Sequence, residues 1–381
     1  MKRRLFCWGA TAVAVVGLGS FGGWVLSLPP APAAGGAPAI DSREGEALVA
    51  ALKPPKRQRP VIAILGINDA TETTDYLMPA GILRRADVAE VTTVATGPGP
   101  VALYPALKVQ PDATIAAFDA RHPEGADYVI VPAMSRDDDP AALAWIRRQA
   151  ATGAIIIGVC AGAKVVGAAG MLDGRRATTH WYYLRELRRK NPAAVYVADR
   201  RLVIDRGVAT TTGISASMPM SLTLVEAIAG RARAQAVADG LGLTRWDARH
   251  DSGAFVLTRP FVLTVLGNVL TFWKRDELGI ELTSGIDEVS LALSADAWSR
   301  TYRSHAVTFS RDGAVVQSRN RIPIFPDRVA RTWPADRRLP AVGRLKPAEA
   351  LDEALAAVRA RYGNRTAGMV AMQLEYSQRE E

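Results

Sequence analysis

Four short apolar segments of strand type, separated by segments with helical patterns, constrain the fold of this 381-residue chain more than any other feature. We predict strands at residues 61–66, 90–96, 128–132 and 154–159, and helices at residues 75–86, 140–151 and 161–169. Strands that are apolar along their whole length are buried on both faces, which is typical of a parallel sheet covered by helices. The sequence therefore predicts an α/β domain built on a parallel sheet.

The chain divides into four segments that differ in composition. They are an apolar segment at residues 1–28, a linker rich in Pro, Ala, Gly and basic residues at 29–60, the α/β domain at 61–242 and an extension at 243–381. The net charge is +9, but residues 1–60 alone hold eight basic and three acidic side chains. Because much of the basic excess lies outside the folded part, we expect no nucleic-acid partner.

The N-terminal segment has the pattern of a membrane anchor. The 24 residues from 5 to 28 contain no acidic or basic side chain apart from Cys7, and this length can cross a bilayer. Lys2, Arg3 and Arg4 precede it and place the N-terminus in the cytoplasm. We predict a single-pass protein of the inner membrane with its folded domain outside the cytoplasm; a cleaved signal peptide is the alternative.

The segment GVCAG, at residues 158–162, has the form of a nucleophile elbow with cysteine as the nucleophile. A buried strand ends just before Cys160 and a helix begins just after it, so Gly158 and Gly162 relieve the crowding of a tight turn. At a helix N-terminus the thiol is expected to have a lowered pKa and to react as thiolate. The alternative is a small cysteine that only fills the core.

His180 lies twenty residues after Cys160, beyond the helix and at the end of a short predicted strand. This position can return it to the carboxyl edge of the sheet, beside the cysteine, where it could act as a general base or proton carrier. The alternative is a surface histidine that packs on Trp181.

Several segments together resemble the ThiJ/PfpI superfamily, which is related to the class I glutamine amidotransferases. They are VIAILG, DYLMPAGILRRA, GVCAGAKVVGAAGMLDGRRATTHW and GVATTTGISASMPMSLTLVEAIAG, and they are most similar to AraC-type regulator sensor domains and isocyanide hydratases. The resemblance implies a flavodoxin-like three-layer sandwich, frequent homodimers, and an elbow cysteine that works with a carboxylate of the first helix, here Asp75. As an alternative, Asp75 is only an acidic residue at a helix N-terminus.

Three departures from the family pattern bear on activity. Ala133 and Met134 stand where the family usually has a Gly-Gly pair that contributes to the oxyanion hole, and the bulk of Met134 is expected to narrow the pocket. Ala161 replaces the threonine of the hydratases, although its N–H can still stabilise an oxyanion. Pro219 stands where the regulators often have an acid. Altered or lost catalysis is therefore an open alternative.

The extension at 243–381 is predicted as an α+β unit of unknown role. We expect a core or interfacial helix at 261–272, strands at 288–294, 305–310, 314–318 and 368–376, a hairpin turn at 311–313 and a helix at 347–361. No pair of helix-turn-helix units is recognisable in its sequence. His250 and Asp251, near the domain end, either reach the active site or brace the domain junction.

These observations lead to one functional prediction and two rivals. The prediction is a cysteine-dependent hydrolase or hydratase that acts on a small electrophilic substrate without a metal or other cofactor. The first rival is a non-catalytic ligand-binding or redox-sensing domain whose cysteine is oxidised. The second is a transcription regulator that lacks a recognisable DNA-binding module.

Overall fold

The computed structural model describes residues 19–32 and 35–376. The strands are β1 (Val61–Gly66), β2 (Thr71–Glu72), β3 (Glu90–Ala95), β4 (Val101–Tyr104), β5 (Lys108–Val109), β6 (Ala113–Thr114), β7 (Tyr128–Val131), β8 (Ile155–Gly158), β9 (Arg176–Ala177), β10 (Val195–Tyr196), β11 (Leu202–Asp205), β12 (Val208–Thr211), β13 (Asp276–Glu281), β14 (Ser304–Ser310), β15 (Val316–Gln317), β16 (Pro323–Ile324) and β17 (Arg328–Val329). The helices are α1 (Ser42–Ala51), α2 (Thr73–Ala86), α3 (Ile115–Arg121), α4 (Pro140–Ala151), α5 (Gly162–Ala168), α6 (Leu184–Lys190), α7 (Ser217–Ala229), α8 (Arg231–Leu241), α9 (Arg259–Val269), α10 (Glu288–Ser299), α11 (Pro347–Tyr362) and α12 (Asn364–Gln373). Residues 19–27 are also helical.

A seven-stranded sheet with the order β11-β12-β8-β7-β1-β3-β6 forms the centre of the molecule. Its strands pair in parallel except at the edge, where β11 and β12 are antiparallel. The predicted mixed α/β fold with a parallel-rich sheet is confirmed. All four predicted strands of the domain and all three predicted helices form, with ends that differ by at most two residues.

Alternate residues of the central strands face two separate cores. In β1, Ile62 and Ile64 pack in the core covered by α2 and α7, whereas Ala63 and Leu65 pack in the core covered by α4 and α5. This alternation follows from the two-residue period of a strand. The result is three layers, with helices on both faces of the sheet.

The extension joins the α/β domain through a helix and a strand. Helix α10 packs on α2, so closely that a Cβ at Gly81 would lie 2.4 Å from Glu288 Oε1. Strand β16 pairs with β5 in antiparallel fashion, through Ile324 and Val109. Strands β13, β14 and β17 form a second, three-stranded parallel sheet.

Three predictions within the extension are wrong. Residues 288–294 belong to helix α10, because Asp287 caps the amides of Val289 and Ser290 and the helix is buried on all sides, which hides its period. Residues 368–373 belong to α12, whose buried positions 366, 367, 369, 370 and 371 lie on one side of the helix. The predicted hairpin at 311–313 does not form, since β14 pairs in parallel with β13 and β17.

The predicted membrane helix is not found. Within residues 19–32 and 35–376, no helix combines the length and the apolar character needed to cross a bilayer. This finding contradicts the predicted single-pass location in the inner membrane. Residues 1–18, which hold most of the predicted anchor, lie outside the described residues.

Candidate active site

Cys160 occupies the sharp turn between β8 and α5 with a positive φ of 56°. The flanking glycines are required by close backbone contacts, as predicted. A Cβ at Gly162 would lie 1.9 Å from the carbonyl oxygen of Val131, and one at Gly158 would lie 3.0 Å from the Cα of Ala163. A left-handed conformation at a non-glycine residue is strained and occurs preferentially at functional sites. The elbow geometry therefore agrees with the sequence motif.

Neighbouring loops hold the backbone of the elbow in place. The N–H of Cys160 donates to Thr211 Oγ1 at 3.1 Å, and the hydroxyl of Thr179 donates to the Cys160 carbonyl at 2.9 Å. Thr211 ends β12 and Thr179 immediately precedes His180. The strand next to β8 and the loop that carries His180 thus fix the turn directly.

The thiol lies in a buried and acidic environment. Cys160 is 4% exposed, and burial raises the pKa of its thiol well above the usual value. The acidic groups Asp75, Glu72 and Glu375 raise this pKa further, while a hydrogen bond from the Ala161 N–H lowers it. The prediction of a lowered thiol pKa is therefore wrong, because burial and the acidic surroundings outweigh the start of a seven-residue helix.

Asp75 lies in the first turn of α2 and is completely buried. The N–H of Ala133 donates to Asp75 Oδ2 at 3.1 Å, whereas Oδ1 has no hydrogen-bond partner in the described part of the chain. Burial, followed by the charge of Glu72, raises the pKa of Asp75 well above its usual range. Asp75 therefore favours its protonated form, in which the free oxygen can carry the proton.

His180 lines the same cavity as Cys160, but both of its ring nitrogens are bound to backbone groups. Its Nε2 lies 2.9 Å from the Gln373 carbonyl oxygen, and its Nδ1 accepts from the N–H of Tyr182 at 3.2 Å. This pattern assigns the ring proton to Nε2. Burial lowers the pKa of His180, so the ring is neutral at physiological pH. Its action as a general base stays a prediction.

The cysteine borders a cavity of about 520 Å³. Met134 and Ala133 form part of its wall together with Ala161, and Met134 does not fill the cavity. The narrowing of the pocket by Met134 stays a prediction. Six aromatic side chains also line this cavity, namely Tyr104, Trp181, Tyr182, Tyr183, Phe261 and Tyr302. The space is large enough for a small organic molecule.

The extension contributes side chains to this cavity that the sequence analysis missed. They are Phe261, Val265, Ser299, Arg300, Tyr302 and Gln373. Arg300 ends helix α10 and binds Glu72 with its Nη2 at 2.9 Å from Oε1. No motif marks these residues in the sequence, because they come from segments more than a hundred positions away from the elbow.

Glu375, just beyond α12, is a second residue that the sequence analysis missed. Its carboxylate is 1% exposed and accepts hydrogen bonds of 2.6 Å from the N–H groups of Trp181 and Gly213. It therefore holds together the loop that carries His180 and the turn after β12. The positive φ of Glu375, 48°, places it at the end of the helix where the chain turns.

His250 and Asp251 lie outside the cavity wall. His250 Nε2 is 3.7 Å from Glu375 Oε2, and its ring stacks on Phe255 with centroids 5.3 Å apart. The carboxylate of Asp251 accepts from the N–H groups of Gly253 and Ala254. Of the two predicted alternatives, these contacts favour bracing of the domain junction.

Comparison with known proteins identifies the α/β unit. Residues 61–227 match the model of the DJ-1/PfpI family. The chain contains a DJ-1/PfpI family domain. The ThiJ/PfpI resemblance of the sequence motifs is thereby confirmed, and the elbow cysteine and Asp75 both lie within the matched residues.

Two relatives illustrate the range of functions within this family. Isonitrile hydratase from Pseudomonas putida is 42% identical over 100 residues, which are 26% of this chain and 42% of that protein. The HTH-type transcriptional regulator CdhR from Pseudomonas aeruginosa is 32% identical over 112 residues, 29% of this chain and 33% of that protein. The chain thus spans less than half the length of these curated relatives.

Solved structures of the same family also match. A ThiJ/PfpI family protein from Pseudomonas syringae has a TM-score of 0.47 and 22% identity, and the match covers 61% of this chain and 92% of that one. Drosophila melanogaster DJ-1beta has a TM-score of 0.44 and 22% identity, with 49% of this chain and all of that one covered.

Proposed function

We propose that the cavity at Cys160 is an active site in which the thiol attacks an electrophilic carbon of a small substrate, as in a hydratase or hydrolase. One observation carries the proposal: a cysteine in a strained elbow borders a cavity of about 520 Å³, and a buried carboxyl group with one unbonded oxygen, that of Asp75, influences its pKa. Such a pair supplies a nucleophile and a proton carrier.

The substrate class we favour is an isonitrile, because the hydratase from Pseudomonas putida shares 42% identity over 100 residues. The overall reaction adds one water molecule to the isonitrile and yields an N-substituted formamide. The terminal carbon of an isonitrile accepts a nucleophile and a proton in turn. Both requirements match a neutral thiol and a protonated carboxyl group that raises the pKa of this thiol.

In the first step the Sγ–H bond of Cys160 breaks and an Sγ–C bond forms to the terminal carbon. Asp75 transfers its proton to this carbon and takes the thiol proton, so a thioformimidate forms and the carboxyl group stays neutral. Water then adds to the same carbon, the C–S bond breaks, and the formamide leaves while the thiol is restored. The N–H of Ala161, which bonds to the sulfur, stabilises the charge that develops there.

The raised pKa values of both groups fit this sequence of steps. A thiol that is neutral at rest needs a base only at the moment of attack, and a protonated Asp75 can give one proton and accept another. His180, whose nitrogens both bind backbone groups, then holds the cavity wall in place. We propose that Asp75, more than His180, moves the proton.

The test is turnover of an alkyl isonitrile by the purified chain, followed as formamide by NMR. We expect Cys160→Ala to abolish formamide production and Asp75→Asn to lower kcat by about a hundredfold or more, the usual range for a lost general acid. Cys7→Ala is the matched control and should leave the rate unchanged. Turnover that survives in Cys160→Ala would refute the proposal.

A ligand-binding or redox-sensing role is the second candidate, and the burial of Cys160 favours its ligand-binding form. A thiol that is 4% exposed and has a raised pKa is oxidised slowly, which suits non-covalent ligand binding more than redox sensing. The match to the transcriptional regulator CdhR, 32% identical over 112 residues, supports a regulatory role without turnover. Ligand binding without turnover, retained in Cys160→Ala, would favour this candidate. A homodimer and the predicted domain boundaries stay predictions.

A further inference from the structure

We propose that Arg300 and Asp296 of the extension are positioning residues that set the reactivity of Cys160 through Glu72. This inference rests on the proposed function only in taking Cys160 as the reacting group. Both residues lie in or at the end of α10 and outside residues 61–227, the part that matches the DJ-1/PfpI family. The extension would thus set the reactivity of Cys160 in addition to lining the cavity.

A continuous chain of polar contacts leads from α10 to the helix that carries Asp75. Asp296 Oδ1 lies 2.8 Å from Arg300 Nε, one helical turn away. Arg300 Nη2 lies 2.9 Å from Glu72 Oε1. The other oxygen of Glu72 accepts from the Asp75 N–H at 2.6 Å and caps the start of α2. Each member of this chain therefore contacts the next.

Burial makes these charges effective at the cysteine. The Asp296 side chain is fully buried, that of Glu72 is 7% exposed and that of Arg300 is 14% exposed. Charges removed from water interact more strongly, since the local dielectric constant is lower. The contact between Asp296 and Arg300 is an ion pair without a directed hydrogen bond, because neither Asp296 oxygen has a hydrogen-bond partner in the described part of the chain. Its contribution is therefore mainly one of charge.

Acidic side chains are the main charged or ionisable groups that influence the thiol. The groups that face Cys160 are Asp75 from α2, Glu72 from β2, Glu375 beyond α12, Tyr183 after His180, and Arg300 from α10. Arg300 lowers the pKa of Asp75, against the effects of burial and of Glu72. Burial raises the pKa of Asp296 to about 7, so this residue carries its negative charge only above neutral pH. Arg300 is thus a cation that offsets these acidic groups, and Lys164 of α5 is a second cation that lines the cavity.

The two residues have opposite charges, so their removal has opposite expected effects on the thiol. Arg300→Met removes a positive charge and disfavours the thiolate, whereas Asp296→Asn removes a negative charge and favours it. A change of about one unit in the thiol pKa alters the thiolate population about tenfold. The nucleophilicity of the thiolate changes in the opposite sense by about threefold, so the net change in rate is about threefold. We expect the alkylation rate of Cys160 to fall about threefold in Arg300→Met and to rise about threefold in Asp296→Asn.

The experiment measures iodoacetamide alkylation of the Cys160 peptide by mass spectrometry between pH 6 and pH 10. Arg300→Lys keeps the positive charge, so its Cys160 alkylation rate should be close to that of the unsubstituted protein. Arg249→Met, at a surface ion pair with Asp247, is the matched control and should leave the rate unchanged. The Asp296→Asn effect should grow as the pH rises through 7.

Opposite changes in the two variants, with rescue by lysine, support the inference. An equal change of the alkylation rate in both variants, or no change in either, would overturn it. If the two residues had only a structural role, their loss would disturb the site alike and change the rate in the same direction. If Arg300→Met does not fold, Asp296→Asn and Arg300→Lys still test the inference. The rate of Cys160 alkylation should then rise in Asp296→Asn and stay close to the unsubstituted value in Arg300→Lys. Isonitrile turnover is assayed separately, so its absence refutes the proposed function without affecting the thiol result.

Discussion

Replacement of Gly162 by alanine tests whether the elbow requires glycine for steric reasons. A Cβ at this position would lie 1.9 Å from the carbonyl oxygen of Val131 and 2.9 Å from the carbonyl carbon and oxygen of Pro132. All three atoms belong to backbone at the end of β7, a central strand of the sheet. A side chain could rotate away from the new methyl group, but this backbone can only shift.

The magnitude follows from the size of that shift. Ordinary carbon–oxygen contacts are about 3.3 Å, so the two backbones must separate by roughly 1.4 Å. The Val131 carbonyl also accepts from the N–H of Val159 at 2.9 Å, and a shift weakens this bond, which contributes about 1 kcal/mol. Overpacking of a core costs about 1–3 kcal/mol. We expect Gly162→Ala to lower the free energy of unfolding by about 3 kcal/mol.

Urea denaturation of the two alanine variants measures this difference. Gly240→Ala is the matched control, because its Cβ would meet no atom within 4 Å at an exposed position of α8. There we expect a gain of about 0.5–1 kcal/mol, as the unfolded chain loses freedom. Equal stability of the two variants within about 0.5 kcal/mol would refute the steric account, taking the usual error of such extrapolations into consideration.

Three further predictions concern charges near the cavity. Glu375→Ala should lower the free energy of unfolding by about 2–4 kcal/mol, because it leaves the buried N–H groups of Trp181 and Gly213 unpaired, and Glu375→Gln should cost about half as much in the same urea assay. Asp75 keeps its proton in the folded state above pH 3.8, where the unfolded chain releases it, so the parent loses stability as pH rises. The stability of Asp75→Asn relative to the parent should therefore increase between pH 5 and pH 8; a constant difference would contradict the raised pKa of Asp75. Alkylation of Cys160 should still accelerate at pH 9, the usual pKa of a thiol, and a plateau below pH 7 would show a stabilised thiolate instead.

Local sequence patterns were sufficient for the domain that carries the elbow. The strands at 61–66 and 155–158 are short apolar runs rich in β-branched residues and ending in glycine, and these features favour a buried strand over a helix. Gly158 and Gly162 around Cys160 indicate a turn whose neighbours are backbone atoms, and the contacts at both positions agree. These features depend on residues close in the chain, so the sequence contains them directly.

Predictions failed where the local pattern was ambiguous. Residues 288–294 alternate in polarity like a strand, yet small residues such as Ala292 and Ala295 allow the segment to be buried on all sides as a helix. The apolar segment at 5–28 has the composition of a bilayer span, but no described helix has the necessary length and apolar character. For residues 288–294, composition alone did not distinguish a strand from a buried helix of similar hydropathy.

By itself, the sequence determined the α/β fold, the elbow at Cys160 and the position of Asp75 in the first turn of a helix, since each follows from short-range pattern and family motif. The role of Asp75 as an acid stays a prediction. Only the tertiary structure decided the environment of the thiol. Arg300 and Glu375 reach the site from distant parts of the chain and, with Glu72, surround a buried sulfur whose pKa is raised. The physical reason is that burial and charge depend on which segments meet in space. The start of a helix favours the thiolate, but this effect is outweighed once the surrounding residues exclude the solvent.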